Sequence, residues 1–275
     1  MSHETPEKQN IKFTCVEADD GKLLVDTVAK NSTLSKSLIK KLMVNGAVFQ
    51  SFRKTRRHVR KAKNTVKAGD TIECFFDPSI DFDKEFEFNL IFQTSNYGIF
   101  HKPAGAPTEG TNYGDKTSLI RHVEKLKRYV YLVNRLDREA EGLVVVAYNS
   151  KTQNLLQEIW RDGVTKKYQA IVLGKLEGSG TFEDKINNKF SKTTYNCVKT
   201  IDNQTYVDIE LATERKNQIR IHFANNGNPV MGDPIYGENN KNTEGLKLIS
   251  YSLEFTDPQN KKPVLARIPK EKLLY

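Results

Sequence analysis

The sequence predicts an α+β fold, in which a mixed, largely antiparallel sheet with flanking helices follows a small N-terminal α/β domain. The chain has 275 residues, enough for about two domains of ordinary size. Strand-like segments occur in adjacent pairs as well as across a helix, a pattern typical of antiparallel-rich sheets. An acidic stretch divides a basic first part from the remainder. We therefore predict a flexible tail at residues 1–12, the small domain at 13–76, an acidic linker at 77–87 and the large domain at 88–275.

The small domain is predicted to contain two short helices and at least one strand. Apolar residues recur at helical spacing between Leu24 and Ala29 and again between Leu34 and Met43, with a polar break between the two stripes. Further along, apolar side chains alternate with polar ones from residue 72 to 76, as in a half-buried strand. The linker that follows has five acids against one lysine. We expect it to remain mobile.

The large domain is predicted to contain many short strands that are interrupted by helices. Ser150 is the predicted N-cap of the clearest helix, the stripe from Leu155 to Trp160 is its buried face, and Gly163 ends it. Residues 219–223 have the apolar spacing of a second helix. The predicted strands lie at residues 90–92, 97–101, 131–133, 142–147, 167–173, 193–200, 205–211 and 246–255.

Composition limits the classes of partner and compartment. The sequence has 43 Lys and Arg against 34 Asp and Glu, a net charge of +9, which favours polyanions such as nucleic acid over acidic proteins. Its three cysteines are too few and too scattered for a disulfide framework or a zinc site, so we expect a reducing compartment. The first residues lack the apolar run of a signal peptide, and no stretch approaches the roughly 18 apolar residues of a membrane span. We expect a soluble, cytoplasmic protein that does not bind membranes.

Three segments place polar residues directly against strand-like apolar runs, where binding and catalytic residues are commonly found. The first is Asn134–Asp137, which precedes the apolar run Gly142–Ala147. The second is Lys166–Tyr168, at the start of the strand that follows the helix, and the third is Arg215–Arg220, a cationic turn that enters the second helix. Taken singly, a carboxylate in a turn, a tyrosine in a strand or an arginine on a helix is usually structural. Their joint occurrence favours a site.

In order and approximate spacing, these segments resemble the three motifs of the RluA-type pseudouridine synthases. NRLDREAEGLVVVA resembles the family's His-Arg-Leu-Asp motif with its aliphatic strand, KKYQAIV the Lys-x-Tyr-x-Ala strand, and TERKNQIRIH the Thr-Gly-Arg-x-His-Gln-Ile-Arg-x-His motif. HKPAGAP and GNPVMGDPIYG are further similarities, so the resemblance runs from about Leu90 to the C-terminus. The family has His, Thr, Ser, Gly and His where this sequence has Asn134, Ala140, Glu141, Glu214 and Asn217.

The small domain resembles the RNA-binding module of a ribosomal small-subunit protein, which often precedes this catalytic domain. The resemblance rests on the run LSKSLIKKLMVNGAV, with the module's Leu-Ser-x-Ser, Leu and Gly-x-Val positions. A charge run is usually a solvated face, but residues 53–67 contain eight cations in fifteen positions, more than solubility needs. Phosphate contacts, and hence salt-dependent RNA binding, are favoured. The implied RNA-binding residues are Lys36, Lys40, Lys41, Arg53, Lys54, Arg56, Arg57 and Arg60.

The resemblance implies an enzyme that isomerises uridine to pseudouridine within structured RNA. Asp137 is then the catalytic carboxylate, Arg220 its ion-pair partner, and Tyr168 the aromatic residue that stacks on the flipped base. Whether Asp137 acts as a nucleophile or as a base stays open. Neither a cofactor nor a metal is expected, because the isomerisation involves no oxidation, hydrolysis or phosphorylation. The implied substrate-binding residues are Arg135, Lys166 and Arg215.

Substrate and function leave alternatives at this stage. Ribosomal RNA is the expected substrate and transfer RNA the second, because the appended module is typical of family members that act on ribosomal RNA. We expect a monomer. One alternative is a non-catalytic RNA-binding or ribosome-assembly protein that keeps the synthase fold, which the departures from the motifs favour. Another is a glycoside hydrolase or nucleosidase, in which Glu139 or Glu141 pairs with Asp137.

Overall fold

The computed structural model of the protein describes residues 7–53, 55–237 and 244–275. The chain forms two compact units, of which the first comprises residues 1–86 and 109–122 and the second residues 87–108 and 123–275. Lys54 and the first six residues of the predicted tail lie outside the described residues. None of the helices in the described ranges combines the length and the hydrophobicity that crossing a bilayer requires.

The first unit contains a four-stranded antiparallel sheet and two helices. Its strand order is β1-β4-β2-β3. The Ser35 side chain accepts a hydrogen bond from the backbone N–H of Leu38 at the start of the second helix, and Gly46 ends that helix in the left-handed conformation, with φ of 82°. The elements are β1 (Gln9–Thr14), α1 (Leu24–Lys30), α2 (Lys36–Asn45), β2 (Val48–Phe52), β3 (Thr55–His58) and β4 (Thr71–Phe76).

The first unit is longer at both ends than the sequence predicts. Residues 9–12, predicted as tail, belong to β1, because Ile11 and Phe13 pack against the core of this unit. Residues 77–86, predicted as a mobile linker, also belong to it, since Phe82 is buried in the same core. Two carboxylates of this segment form ion pairs within the unit: Asp77 with Lys8 at 2.8 Å and Asp83 with Lys41 at 2.6 Å.

The second unit is built on a ten-stranded mixed sheet, as the sequence predicts. Eight strands follow the order β10-β11-β12-β9-β13-β8-β6-β5, with β14 paired to β13 and β7 to β8. Only β13 and β8 pair in parallel among the described strands. The elements from residue 89 onward are β5 (Asn89–Gln93), β6 (Tyr97–Lys102), α3 (Leu119–Glu124), β7 (Tyr131–Leu132), β8 (Glu141–Ala147), α4 (Ser150–Trp160), β9 (Val164–Leu173), β10 (Ser179–Ile186), β11 (Lys189–Ile201), β12 (Gln204–Leu211), α5 (Gln218–Asn225), β13 (Leu248–Thr256) and β14 (Pro263–Arg267). Of these, α3 belongs mostly to the first unit.

Helix α4 packs its apolar stripe against the sheet near the polar segments singled out in the sequence. Leu156 and Trp160 are buried with Leu143 and Val145 of β8. Its N-cap is Asn149, whose side-chain oxygen accepts from the N–H of Thr152 at 2.8 Å, one residue before the predicted cap. Because α4 connects β8 to β9, it fixes the separation between the loop that precedes β8 and the first residues of β9.

Candidate active site

A cleft of about 910 Å³ in the second unit collects all three polar segments. Its wall includes the loop before β8, the first residues of β9 and the loop between β12 and α5. These segments are far apart in sequence and meet because β9 pairs with both β12 and β13. The predicted site residues that line the cleft are Arg135, Asp137, Lys166, Tyr168, Arg215 and Arg220.

The centre of the cleft is a buried ion-pair network around Arg220. The Nη1 atom of Arg220 donates to Oδ2 of Asp137 at 3.0 Å, which is the ion pair that the sequence predicts. The Nε and Nη2 atoms donate to both carboxylate oxygens of Asp233, at 2.8 and 2.7 Å. The Arg220 side chain is 2% exposed and that of Asp233 0%, whereas Asp137 is 26% exposed. The guanidinium is thus anchored from behind and presents one N–H to the accessible carboxylate.

Asp233 is the anchor that the sequence analysis did not identify. Burial alone would raise the pKa of Asp233, but hydrogen bonds from Arg220 and from the backbone N–H groups of Tyr236 and Ile235 lower it below its ordinary value. Asp233 and Asp137 together raise the pKa of Arg220, although its burial alone would lower it. Arg220 and Asp233 are therefore both ionised, and Asp137 faces a fixed positive charge.

Asn217 provides a second contact to the Asp137 carboxylate. With its amide nitrogen turned toward the carboxylate, Asn217 donates to Oδ2 at 2.7 Å and to Oδ1 at 3.0 Å, and its oxygen accepts from the Tyr236 hydroxyl at 2.9 Å. Asn217 precedes α5 with φ of 58°, a left-handed conformation in which Asn, Asp and His are enriched among non-glycine residues. The residue at this departure from the family motif is therefore a hydrogen-bond donor to Asp137.

The loop that carries Asp137 is fixed by a buried lysine of the HKPAGAP segment. Lys102 is fully buried, and the three N–H groups of its ammonium are shared among four backbone carbonyl oxygens at 2.6 to 3.2 Å, those of Pro103, Ala106, Arg138 and Ala140. Burial lowers the pKa of Lys102 to about 7, against the negative charges of Glu139, Glu141 and Asp137, which raise it. Two of these carbonyls, those of Arg138 and Ala140, follow Asp137 closely in sequence, so Lys102 holds its loop in place.

Tyr168 lines the cleft from β9, opposite Ile209 of β12 and Ser250 of β13. Its ring is buried, and this burial raises the pKa of its hydroxyl. The negative charges of Glu214 and Asp137 raise that pKa further. The phenol is therefore neutral at physiological pH. A neutral aromatic ring beside an ionised carboxylate is suited to holding a planar base.

Lys166, Trp160 and Glu214 form a linked group on another wall of the cleft. The indole Nε1 of Trp160 donates to Oε2 of Glu214 at 2.6 Å, and Lys166 Nζ lies 3.9 Å from the same oxygen. Lys166 is almost fully buried and donates to the carbonyl oxygen of Trp160 at 3.0 Å. The ammonium of Lys166 is thus held by contacts within the wall of the cleft. Trp160, which the sequence predicts to be a core residue, also lines the cleft.

The two remaining predicted contacts differ in accessibility. Arg135 is exposed on the loop before Asp137. Arg215 is half-buried: its Nη1 donates to the carbonyl oxygen of Glu214 at 3.0 Å, and its Nε is buried without a partner among the described residues. Glu139 and Glu141 are not among the lining residues of the cleft, and Glu141 instead contacts His101 at 2.7 Å.

In the first unit, much of the predicted basic surface is already paired. Lys36 contacts Asp26 at 2.8 Å, and Arg60 pairs with Asp115. Arg56 contacts Glu73 at 2.6 Å and lies 3.5 Å from the ring centre of Phe49, and Lys41 is paired with Asp83. Arg57 instead donates to the neutral side chain of Gln50 at 3.1 Å, which leaves its charge uncompensated. Lys40 is exposed, and Arg53 lies over the Phe52 ring. The free positive charge is smaller than the sequence count indicates.

Comparison with known proteins decides the family. Residues 96–225 match the family described as RNA pseudouridylate synthase. The chain is 30% identical over 211 residues to the ribosomal large subunit pseudouridine synthase C of Buchnera aphidicola subsp. Baizongia pistaciae, and the match covers 66% of this chain and 67% of that protein. The chain belongs to the RNA pseudouridylate synthase family.

Two further comparisons define the extent of the likeness. The ribosomal large subunit pseudouridine synthase D of Nitrosomonas europaea is 28% identical over 210 residues, and this chain spans 61% of its length. The solved structure of human RNA pseudouridylate synthase domain containing 1 has a TM-score of 0.57 at 19% identity, covering 68% of this chain and 85% of that one. The predicted family, the enzyme class typical of that family and the α+β fold are therefore confirmed.

The site residues that the sequence analysis missed have recognisable signals in the sequence. Asp233 and Tyr236 lie in GNPVMGDPIYG, and Lys102 lies in HKPAGAP, two segments noted only as similarities. Asn217 and Glu214 were noted only as departures. Motif comparison identified the segments, but which atoms meet depends on strand pairing that a single sequence does not specify.

Proposed function

We propose that this protein is an RNA pseudouridine synthase that isomerises uridines of ribosomal RNA, with Asp137 as its catalytic carboxylate. The observation that carries the proposal is the arrangement around Asp137: an accessible carboxylate, contacted by the buried guanidinium of Arg220 and the amide of Asn217, shares one cleft with the buried ring of Tyr168. The names of the relatives, which refer to the ribosomal large subunit, support ribosomal over transfer RNA.

The reaction requires an ionised carboxylate next to the sugar. The bond between the anomeric carbon and N1 of uracil breaks, the base turns, and a bond forms from the same carbon to C5. The proton on C5 is lost and N1 gains one, so the product is an isomer of the substrate. Asp137 assists this step from the ionised state, which Arg220 stabilises electrostatically.

The target uridine has to leave the RNA stack before it enters the cleft. Flipping costs a few kcal/mol, which contacts to the base and to phosphates have to offset. Tyr168 supplies the stacking face in the cleft, and Arg135, exposed on the same loop as Asp137, is suited to contact phosphate or fill the vacated space. The cations of the first unit, Lys40 and Arg57 among them, supply sequence-independent affinity for the RNA backbone.

A direct test uses a ribosomal RNA transcript in which uridine is replaced by 5-fluorouridine. An active synthase is expected to hold or convert this analogue, and Asp137→Asn is expected to bind the transcript without doing either. A protein that only binds RNA would leave the analogue untouched in both forms, which would favour the non-catalytic alternative. Release of free uracil from an unsubstituted transcript would instead indicate a nucleosidase.

A further inference from the structure

The cleft contains a second carboxylate, to which the proposed function assigns no role. Glu214 lines the cleft with Asp137 and Tyr168, at a position where the family motif has glycine. A glycine leaves that part of the wall open, whereas Glu214 adds an acidic group there. A carboxylate repels RNA phosphates, so a contact to the RNA backbone does not explain it.

One oxygen of Glu214 is held by the protein and the other is left available. Oε2 accepts from the indole N–H of Trp160 at 2.6 Å and lies 3.9 Å from the Lys166 ammonium. No donor among the described residues contacts Oε1, and the side chain is 27% exposed. Since Trp160 and Lys166 are both nearly buried, the carboxyl group is oriented firmly and presents Oε1 as an unused acceptor in the cleft.

The segment that carries Glu214 is itself rigid. The side-chain oxygen of Gln218 accepts from the Thr213 hydroxyl and from the Arg215 N–H, each at 3.0 Å. The guanidinium of Arg215 donates to the Glu214 carbonyl oxygen at 3.0 Å. These contacts fix the backbone on both sides of Glu214, so that the position of Oε1 relative to Tyr168 is determined before any substrate binds.

Uracil offers a donor that fits this acceptor. Its only N–H group in uridine is N3–H, which lies on the base edge away from N1 and the sugar. With the sugar at Asp137 and the base against Tyr168, that edge extends away from Asp137 toward the remaining wall of the cleft. We propose that Glu214 is a specificity-determining residue whose Oε1 accepts the N3–H of the target uracil. This inference rests on the proposed function and adds the contact that reads the base.

The electrostatics support the same arrangement. The negative charge of Glu214 contributes more than that of Asp137 to the raised pKa of the Tyr168 hydroxyl, as expected if Glu214 lies close to the phenol. Burial raises the pKa of Glu214 itself, while Trp160 and Lys166 oppose that rise. A partly desolvated carboxylate gains more from a hydrogen bond than a solvated one does.

The test combines a change in the base with a change in the protein. Two RNA hairpins carry the sequence around a uridine that the protein modifies in ribosomal RNA, one with uridine and one with 3-methyluridine at the target. For the unmodified protein, methylation is expected to lower kcat/KM about tenfold or more, because a hydrogen bond to a charged group is lost and the methyl group meets Oε1. In Glu214→Ala the same methylation is expected to lower kcat/KM less than threefold.

A matched control and a conservative variant guard against a general structural effect. Glu210→Gln removes an exposed carboxylate of β12 outside the cleft lining and is expected to leave the methylation effect unchanged. Glu214→Gln retains an acceptor for Trp160 and is expected to give an intermediate methylation effect if Glu214→Ala does not fold. If the unmodified protein converts the uridine hairpin but the Glu214 variants keep the full methylation effect, the subsite is wrong. If it converts neither hairpin, the proposed function fails instead.

Discussion

Asn217 illustrates how a single backbone conformation restricts which residues can contact Asp137, the carboxylate that we propose is catalytic. Its φ of 58° favours Gly, Asn, Asp or His, and of these Asn and His can donate to Asp137. Asn217 therefore combines this backbone conformation with a hydrogen bond to Asp137. A departure from a motif does not by itself imply loss of activity.

Two substitutions at this position separate backbone from side chain. Asn217→Gly keeps the left-handed conformation but removes the donor, so kcat is expected to fall about tenfold to a hundredfold, the cost of one hydrogen bond to a charged group. Asn217→His is expected to stay within about threefold of the parent. Steady-state conversion of the uridine hairpin measures both, and equal activity of the glycine variant and the parent would show that the contact is not used.

The raised pKa of Glu214 predicts a pH dependence with a defined sign. Burial moves the pKa of this carboxyl upward, so it becomes protonated at a higher pH than an exposed glutamate does. Because the carboxylate accepts N3–H more strongly than the protonated acid does, kcat/KM is expected to fall as the pH falls through that raised pKa. Glu214→Gln is expected to lack this ionisation. A pH profile of the two proteins that is identical on the acidic side would contradict the assignment.

Lys102 is a positioning residue whose removal leaves four carbonyl oxygens without their donor. Lys102→Met keeps the length of the side chain but cannot hydrogen-bond, so unfolding free energy is expected to drop by about 2 to 4 kcal/mol. Because two of the carbonyls belong to the Asp137 loop, kcat should fall as well. Chemical denaturation and turnover, with the exposed Lys175→Met as control, measure both effects. An unchanged kcat would mean that the loop is held by other contacts.

At the scale of elements, the contact between β8 and β13 determines where the Asp137 loop ends. Gly142 pairs with Ser250 with φ of 131°, and a Cβ at this position would overlap the backbone of Ser250. Gly142→Ala is therefore expected to unfold at lower temperature than Gly227→Ala. Gly227 also has positive φ but open space around its Cβ position, so this control isolates the overlap from the backbone strain. Equal melting temperatures would show that β13 shifts to make room.

Periodicity in the sequence identified long buried elements and missed two exposed strands. Helix α4 and strand β8 have clear apolar patterns because they pack into the core. Strand β3 is exposed throughout, and β10 is largely exposed, so neither has an apolar pattern to recognise. Residues 109–122 belong to the first unit although the chain has already entered the second, a return that local sequence does not encode. Local sequence does not encode which distant segments meet, so the three site segments were predictable but Asp233, the partner of Arg220, was not.

At the scale of the whole molecule, net charge overstates the charge available to RNA. The chain carries +9, but several cations of the first unit, including Lys36 and Arg56, already contact carboxylates. Exposed ion pairs of this kind contribute little to stability, yet they reduce the attraction for phosphate. The accessible cations therefore matter more for RNA affinity than the total does.

Salt dependence of RNA binding tests this distinction. The plot of log K for RNA binding against log salt concentration has a negative slope. Its magnitude is expected to decrease by about 0.7 to 0.9 for each phosphate contact that Lys40→Gln or Arg57→Gln removes. Lys175→Gln, which removes an exposed cation of the second unit outside the cleft, is the control and should leave the slope unchanged. A uniform effect of all three substitutions would indicate that only total charge matters.

The most direct test of the central claim compares pseudouridine maps of cellular RNA with the gene present, deleted, or replaced by the Asp137→Asn variant. Deletion should remove pseudouridine from one or a few uridines of ribosomal RNA. The variant, folded and still able to bind RNA, should leave the same positions unmodified. Restoration of these positions by Asp137→Asn to the level of the parent protein would contradict the assignment of Asp137 and the mechanism built on it.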